Sequence, residues 1–191
     1  MRLFLAAELG DDIVHAAARL AGTLRERAER LTPAARITWV PPDRIHVTVA
    51  FIGSLDETRA AAVQECLQAP LAGSPFRVAV EGLGTFPGSG SPRVIWAGVG
   101  EGADRLIDAE RELADRLRRV HVPVEERPYR PHLTLARVRE AAGLRSSALL
   151  QGLLDTRLGT TDLRAITLFE SRLSPKGPTY VPLQRTGFED L

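Results

Sequence analysis

The sequence predicts an α+β fold of two pseudo-symmetric lobes, each an antiparallel sheet with outer helices, facing a central cleft. Three observations predict it. The tetrapeptide His46-Val47-Thr48-Val49 returns 86 residues later as His132-Leu133-Thr134-Leu135. Helical and strand periodicities recur at about the same offset, the signature of an internal repeat. Each half also ends in two strand candidates joined by a short turn, which favours antiparallel pairing. The repeat halves run roughly over 10–99 and 100–184, within a single bilobal domain spanning 1–191.

In chain order, residues 2–8 form an apolar first strand that lies outside the repeat and joins one lobe's sheet. Apolar residues at helical spacing (Ile13, Ala17, Leu20, Leu24, Ala28, Leu31) predict a helix over 11–31. Leu106, Ala109, Leu113, Leu117 and Val120 predict its mate over 102–120. Ile37-Thr38-Trp39-Val40, before the first tetrapeptide, corresponds to Val122-Pro123-Val124-Glu125 before the second. After each tetrapeptide comes a further helix, 56–69 and 145–154, and then an alternating strand, 76–80 and 163–168. A closing strand follows a Gly/Pro/Ser turn, so that Pro92–Trp96 matches Pro178–Pro182. The turn over 84–91 reads as a mobile rim to the cleft.

Bulk properties narrow the class. The 191 residues are 44% hydrophobic and 26% charged, as in an ordinary globular protein. Net charge is +1, so any contact with a polyanion is local rather than a broad basic footprint. Lys176 is the only lysine; the arginine excess reads as coding bias more than as phosphate recognition. No apolar run reaches membrane-spanning length, and the apolar start stops at Glu8, too short for a secretory signal. The single cysteine, Cys66, cannot form an internal disulfide. A cytoplasmic location, no membrane association and a monomer are expected.

The chemistry sits in the repeated strand. Arg44, His46 and Thr48 fall at i, i+2 and i+4, as do Arg130, His132 and Thr134, so a regular strand puts each trio on one face. Pro131 suggests a strand start or edge there. Histidine moves protons near neutrality, and two of them can act as acid and base in one turnover. The threonine hydroxyls can donate to an oxyanion or orient an imidazole. With no cysteine cluster and no carboxylate in either motif, metal binding by this set is unconvincing, although two histidines alone do not exclude it. Displacement at phosphorus fits best, with one histidine deprotonating the attacking oxygen and the other protonating the leaving oxygen.

Paired His-x-Thr-x motifs in a bilobal α+β chain resemble the two-histidine (2H) phosphoesterases. The likeness is greatest to the RNA 2′,3′-cyclic phosphodiesterases, also called 2′-5′ RNA ligases. Supporting segments are Arg2-Leu3-Phe4-Leu5-Ala6, Trp39-Val40-Pro41-Pro42, Phe51-Ile52-Gly53, Gly84-Thr85-Phe86-Pro87, Pro92–Trp96 and Arg130–Arg137. Val49-Ala50, where the family often has a larger aliphatic pair, and a second lobe with few aromatics are small departures. The resemblance implies hydrolysis of RNA 2′,3′-cyclic phosphate ends to 2′-phosphomonoesters, without metal or other cofactor, on RNA termini or nucleotides bearing that group. By the same resemblance His46 is the proton donor, His132 the proton acceptor, and Thr48 and Thr134 hold the phosphate. The residues themselves give no handle on which histidine does which. Arg130 is the leading phosphate clamp, and Arg44 is its symmetry mate in a turn-like stretch.

Two other activities share these residues: 2′-5′ ligation, the same chemistry reversed, and nucleotide binding without turnover. Aromatics stack single-stranded RNA, but parity puts Phe51 opposite His46, so it reads as core, as do Trp39 and Trp96. Phe86 and Tyr180 keep a stacking role open. His15 and His121 lack a threonine partner and read as surface residues. Arg116, Arg118 and Arg119 suit the end of a helix, where cations complement the dipole.

Overall fold

A computed structural model describes residues 1–175 and 177–189, so Lys176 lies outside the described residues. Ten strands and four helices lie along the described residues. They are β1 (Arg2–Ala7), α1 (Asp11–Leu31), β2 (Arg36–Trp39), β3 (Val47–Ser54), α2 (Glu57–Cys66), β4 (Leu71–Ala72), β5 (Phe76–Phe86), β6 (Val94–Val99), α3 (Ala103–Arg119), β7 (His132–Glu140), α4 (Ser146–Leu150), β8 (Arg157–Leu163), β9 (Ala165–Ser174) and β10 (Gly177–Glu189), with a 3-10 turn at Pro42–Arg44. The α+β class predicted from sequence is the one observed. Among the described residues no helix is long and apolar enough to cross a membrane.

Most elements fall where periodicity places them. Helix α1 buries Ile13, Ala17, Leu20, Leu24 and Ala28 and opens with Asp11 and Asp12, whose charge suits a helix N-terminus. Asp56 caps α2 by accepting from the Arg59 N–H at 2.8 Å. Three expectations change. Residues 122–125 form no strand: Pro123, Pro128 and Pro131 each lack a ladder donor. The strand expected at 163–168 divides at Arg164 into β8 and β9, which belong to different parts of the sheet. The expected helix 145–154 is only five residues long, with Gly152 left-handed (φ 73°) just beyond it.

The strands follow the order β4-β10-β9-β1-β3-β7-β6-β5-β8, with β2 flanking β7. Every pairing is antiparallel except the short β10–β4 contact. Two groups are joined at the middle by one pairing, Val47 with Leu133, inside the two repeated tetrapeptides. One group is β1, β3, β9, β10 and β4, against which α3 and α2 lie; the other is β2, β5, β6, β7 and β8, covered by α1 and α4. Each group therefore draws on both halves of the chain. The motif strand and the helix after it cross to the group built mainly by the opposite half.

This exchange changes the phase of the repeat. Strand β1 borders motif strand β3 and precedes α1; β6 borders motif strand β7 and precedes α3. The true mate of β1, left outside the sequence repeat, is β6. Buried residues of the two long helices then coincide: Ala17 with Leu106, Leu20 with Ala109, Leu24 with Leu113, Ala28 with Leu117. One continuous apolar core runs through both groups, and a small second cluster of Phe4, Ala6 and Phe169 lies under Tyr180 on the cleft side.

Candidate active site

Both motif strands carry a bulge at the same place. Leu5 faces Ala50 while Ala6 faces Thr48, leaving Val49 as an extra residue; Ile95 faces Ala136 while Trp96 faces Thr134, leaving Leu135 extra. Val49 and Leu135 are buried. The bulge reverses the alternation beyond it. The residue five places after each histidine, Phe51 in β3 and Arg137 in β7, thereby shares a face with the threonine. Strict alternation put Phe51 in the core; instead it is 54% exposed and lines the cleft.

The arginines two places before each histidine take part through their backbone. The Nδ1–H of His46 donates to the Arg44 carbonyl at 2.8 Å, and that of His132 to the Arg130 carbonyl at 2.6 Å. A carbonyl only accepts, so the proton of each neutral ring is on Nδ1 and the lone pair on Nε2. Arg44 sits in the 3-10 turn nucleated by Pro42, and Arg130 in the irregular segment before β7, so neither shares a regular strand with its histidine. Arg44 lines the cleft, and its Nε is buried without a hydrogen bond among the described residues, 3.9 Å from an Asp43 carboxylate oxygen. The Arg130 side chain is exposed.

The two Nε2 atoms differ. That of His46 accepts from the Thr48 hydroxyl at 3.0 Å; that of His132 makes no side-chain or backbone bond among the described residues. Each ring also has an aromatic collar. Phe4 and Tyr180 lie 5.2 and 5.4 Å from His46, and Phe86 and Trp96 lie 5.2 and 6.3 Å from His132. Trp96 covers the backbone of Gly84, where any β-carbon would collide with the indole. Its Nε1 is buried without a hydrogen-bond partner among the described residues, while the residue as a whole is half-buried, so the core reading of Trp96 holds only in part. Trp39 lines the cleft and receives the Arg25 guanidinium on its face at 5.7 Å.

Burial lowers the pKa of both imidazoles, the carbonyl bond to Nδ1 opposes this, and the positive charge of Arg137 lowers both further. The Arg137 charge thus bears on both rings, and the pairing of Val47 with Leu133 sets the two motif strands side by side. Arg137 is the residue that reading the motifs missed, and its signal was present as the third residue after Thr134. Tyr129 was missed as well: its hydroxyl donates to the Thr48 carbonyl at 3.0 Å, tying the segment before His132 to β3. The rim is shorter than expected, because β5 continues to Phe86. The Thr85 hydroxyl donates to the Pro87 carbonyl at 2.8 Å, and the Ser146 N–H donates to the Gly90 carbonyl at 3.2 Å. His15 and His121 are exposed, as expected.

The cleft between the strand groups has a volume of about 650 Å³. His46, Thr48 and Thr134 line it together with Arg2, Arg44, Arg137 and Arg139, and no carboxylate is among its lining residues. Among the described residues no three His, Cys, Asp or Glu side chains gather as a metal site would.

Comparison with known proteins decides the family. The model of the 2′-5′ RNA ligase superfamily matches residues 14–173. The chain belongs to that superfamily. A relative from Aeropyrum pernix named RNA 2′,3′-cyclic phosphodiesterase is 36% identical over 145 residues, 75% of this chain and 82% of its own. One of the same name from Thermus thermophilus is 33% identical over 199 residues, 97% and 89% of the two chains. Among solved structures, TT0787 of Thermus thermophilus superposes with a TM-score of 0.69 at 27% identity, covering 98% of this chain and 97% of that one. Escherichia coli LigT complexed with 3′-AMP gives a TM-score of 0.72 at 24% identity over 98% and 97%, a likeness of fold.

Proposed function

We propose that this protein hydrolyses the 2′,3′-cyclic phosphate at RNA ends to a 2′-phosphomonoester, using His132 as base and His46 as acid. The carrying observation is the pair of imidazoles on adjoining motif strands, each with Nδ1–H held by a carbonyl and Nε2 left for proton transfer. The activity is that of the named relatives. In the reaction a water oxygen attacks phosphorus and its proton passes to Nε2 of His132. The bond from phosphorus to O3′ breaks, and Nε2 of protonated His46 delivers a proton to O3′. A 2′-phosphate and a 3′-hydroxyl result, and the two histidines have exchanged states.

The unlike Nε2 environments support this assignment. A free lone pair on His132 suits a base waiting for water. The Thr48 hydroxyl against Nε2 of His46 can turn and accept when that nitrogen is protonated, which keeps the acid oriented. Arg137 lines the cleft and its charge bears on both rings, which makes it the better-placed phosphate clamp, with Arg44 in the same lining and the Thr48 and Thr134 hydroxyls on the remaining oxygens. Arg130 contributes its carbonyl.

The test is an oligonucleotide ending in a 2′,3′-cyclic phosphate, incubated in EDTA, with the product phosphate located. The expected product is the 2′-phosphate. His46→Ala and His132→Ala should each lose on the order of 100- to 10,000-fold in rate, the usual worth of a placed acid or base. Full activity in either variant, or a 3′-phosphate product, would overturn the reading. Ligation uses the same residues in reverse, an RNA 5′-hydroxyl replacing water, and the superfamily's description includes it. A joined product whose yield rises with RNA-end concentration would establish it.

A further inference from the structure

The stretches of chain that lead up to the two histidines are held in different ways. Before His46 the chain forms β2, which pairs with β7 through Trp39 and Ala136. The Val40 N–H then donates to the Leu135 carbonyl at 2.9 Å. The approach to His46 is thus fastened to the strand that carries His132. Before His132 no strand forms, because Pro123, Pro128 and Pro131 lack a ladder donor. Among the described residues no bond between main-chain groups holds residues 123–130. The ion pair of Arg127 with Glu125 stays within that segment.

One side chain supplies the fastening that a strand would have given. The Tyr129 hydroxyl donates to the Thr48 carbonyl at 3.0 Å, and its ring packs against the core. Burial, reinforced by the Glu110 charge, pushes the phenol above its ordinary value, so the hydroxyl keeps its proton and remains a donor. The arrangement is reciprocal: Val40 reaches β7 just past Thr134, and Tyr129 reaches β3 at Thr48. The residue after Tyr129 is Arg130, whose carbonyl holds Nδ1 of His132 at 2.6 Å. Val47 with Leu133 is the one register pair between β3 and β7 among the described residues. A single pair fixes a point and leaves the angle between the strands free; an attachment away from that point fixes the angle.

We propose that Tyr129 is a positioning residue for the reaction: its hydroxyl fastens the approach to His132 onto β3 and so sets where that ring stands relative to His46 and Thr48. Tyr129 is not among the residues lining the cleft, and it acts through Arg130 and His132 rather than on substrate. The proposal rests on the cyclic phosphodiesterase reading and deepens it. A catalytic group misplaced by about 1 Å can cost on the order of 100-fold in rate.

The test is Tyr129→Phe, which keeps the buried ring and removes the donor. With circular dichroism matching wild type, kcat on a 2′,3′-cyclic phosphate should fall by about 10- to 100-fold while KM stays within about twofold. In a His132→Ala background the same change should cost less than about twofold, because the ring it positions is gone. A general loosening of the fold would cost as much in both backgrounds. p-Aminophenylalanine in place of Tyr129 restores a donor at the same position and should recover most of the rate. An unchanged kcat, a loss carried by KM, an equal loss without His132, or failure of that rescue would overturn the proposal. The nuclear magnetic resonance signals of the His132 ring separate positioning from turnover. In Tyr129→Phe they should shift while those of the exposed His15 stay in place. A shift in a protein whose wild type opens no cyclic phosphate supports the fastening and sinks the phosphodiesterase reading; His132 signals that do not move sink the positioning role.

Discussion

At the scale of single residues, the two halves of the site are alike in what holds the imidazoles and unlike in what surrounds them. Both Nδ1 atoms are pinned to a carbonyl two residues back. The difference enters at the threonine contact and at the fifth residue, phenylalanine in one copy and arginine in the other. This has a consequence for pH. Both imidazoles titrate below their ordinary value of 6.5, because burial and the Arg137 charge disfavour the protonated form. Turnover needs one ring protonated and one neutral, so kcat/KM, which reports the free enzyme, should peak on the acid side of that value. A bound anionic phosphate stabilises imidazolium, and the kcat profile should therefore lie at higher pH. Removing the cation in Arg137→Gln should raise both histidine pKa values and move the kcat/KM profile upward while activity falls. A profile that stays in place would mean that the Arg137 charge does not reach both rings.

At the scale of elements, sequence alternation located the motif strands but could not register their bulges. Val49 and Leu135 look like ordinary strand residues; only pairing with β1 and β6 makes each one supernumerary. That is why Phe51 read as core and why Arg137 and Arg139 went unassigned to the cleft. The long helices hide a second correspondence. Arg27 of α1 donates to the Leu149 and Gln151 carbonyls at the end of α4, at 2.9 and 2.7 Å. Arg116 of α3, its equivalent, donates to the Ala69 carbonyl at 2.6 Å and also to that of Pro70, just past α2. Arg116 stands in the last turn of α3, as read from the sequence, and it also closes the end of a neighbouring helix and pairs with Glu112. Charge-assisted bonds to otherwise orphaned carbonyls contribute about 1.5–3 kcal/mol. Arg116→Met, which keeps the apolar stem, should lower stability by about 2 kcal/mol and the melting temperature by roughly 4–8 °C. KM for the cyclic phosphate should not move. Arg116→Lys should rescue only in part, because one ammonium cannot span several carbonyls as a planar fork does.

At the scale of the whole molecule, the twofold repeat was legible because catalysis leaves a repeated mark on it, the histidine and threonine of each motif strand. Two lobes were legible, but not which strands make up each. Period and propensity report which segments are strands, but not that β3 leaves the first half to sit beside β1 in the group that holds β9 and β10, or that β7 sits beside β6 in the group that holds β5. That interleaving governs how the molecule folds. Neither strand group is a contiguous stretch of chain, since each takes its motif strand from the other half, and the apolar core is continuous across both. A lobe therefore cannot melt without withdrawing strands and helices from its partner. Thermal unfolding should be a single transition, with calorimetric and van't Hoff enthalpies in agreement and loss of hydrolysis coincident with loss of secondary structure. Cutting the chain in the turn at 87–91 gives two fragments, each holding one motif strand and parts of both groups. Each alone should lack cooperative unfolding and activity, while the two mixed together should recover both. Two resolved transitions in the intact chain, or an active single fragment, would show that the halves fold independently despite the exchange.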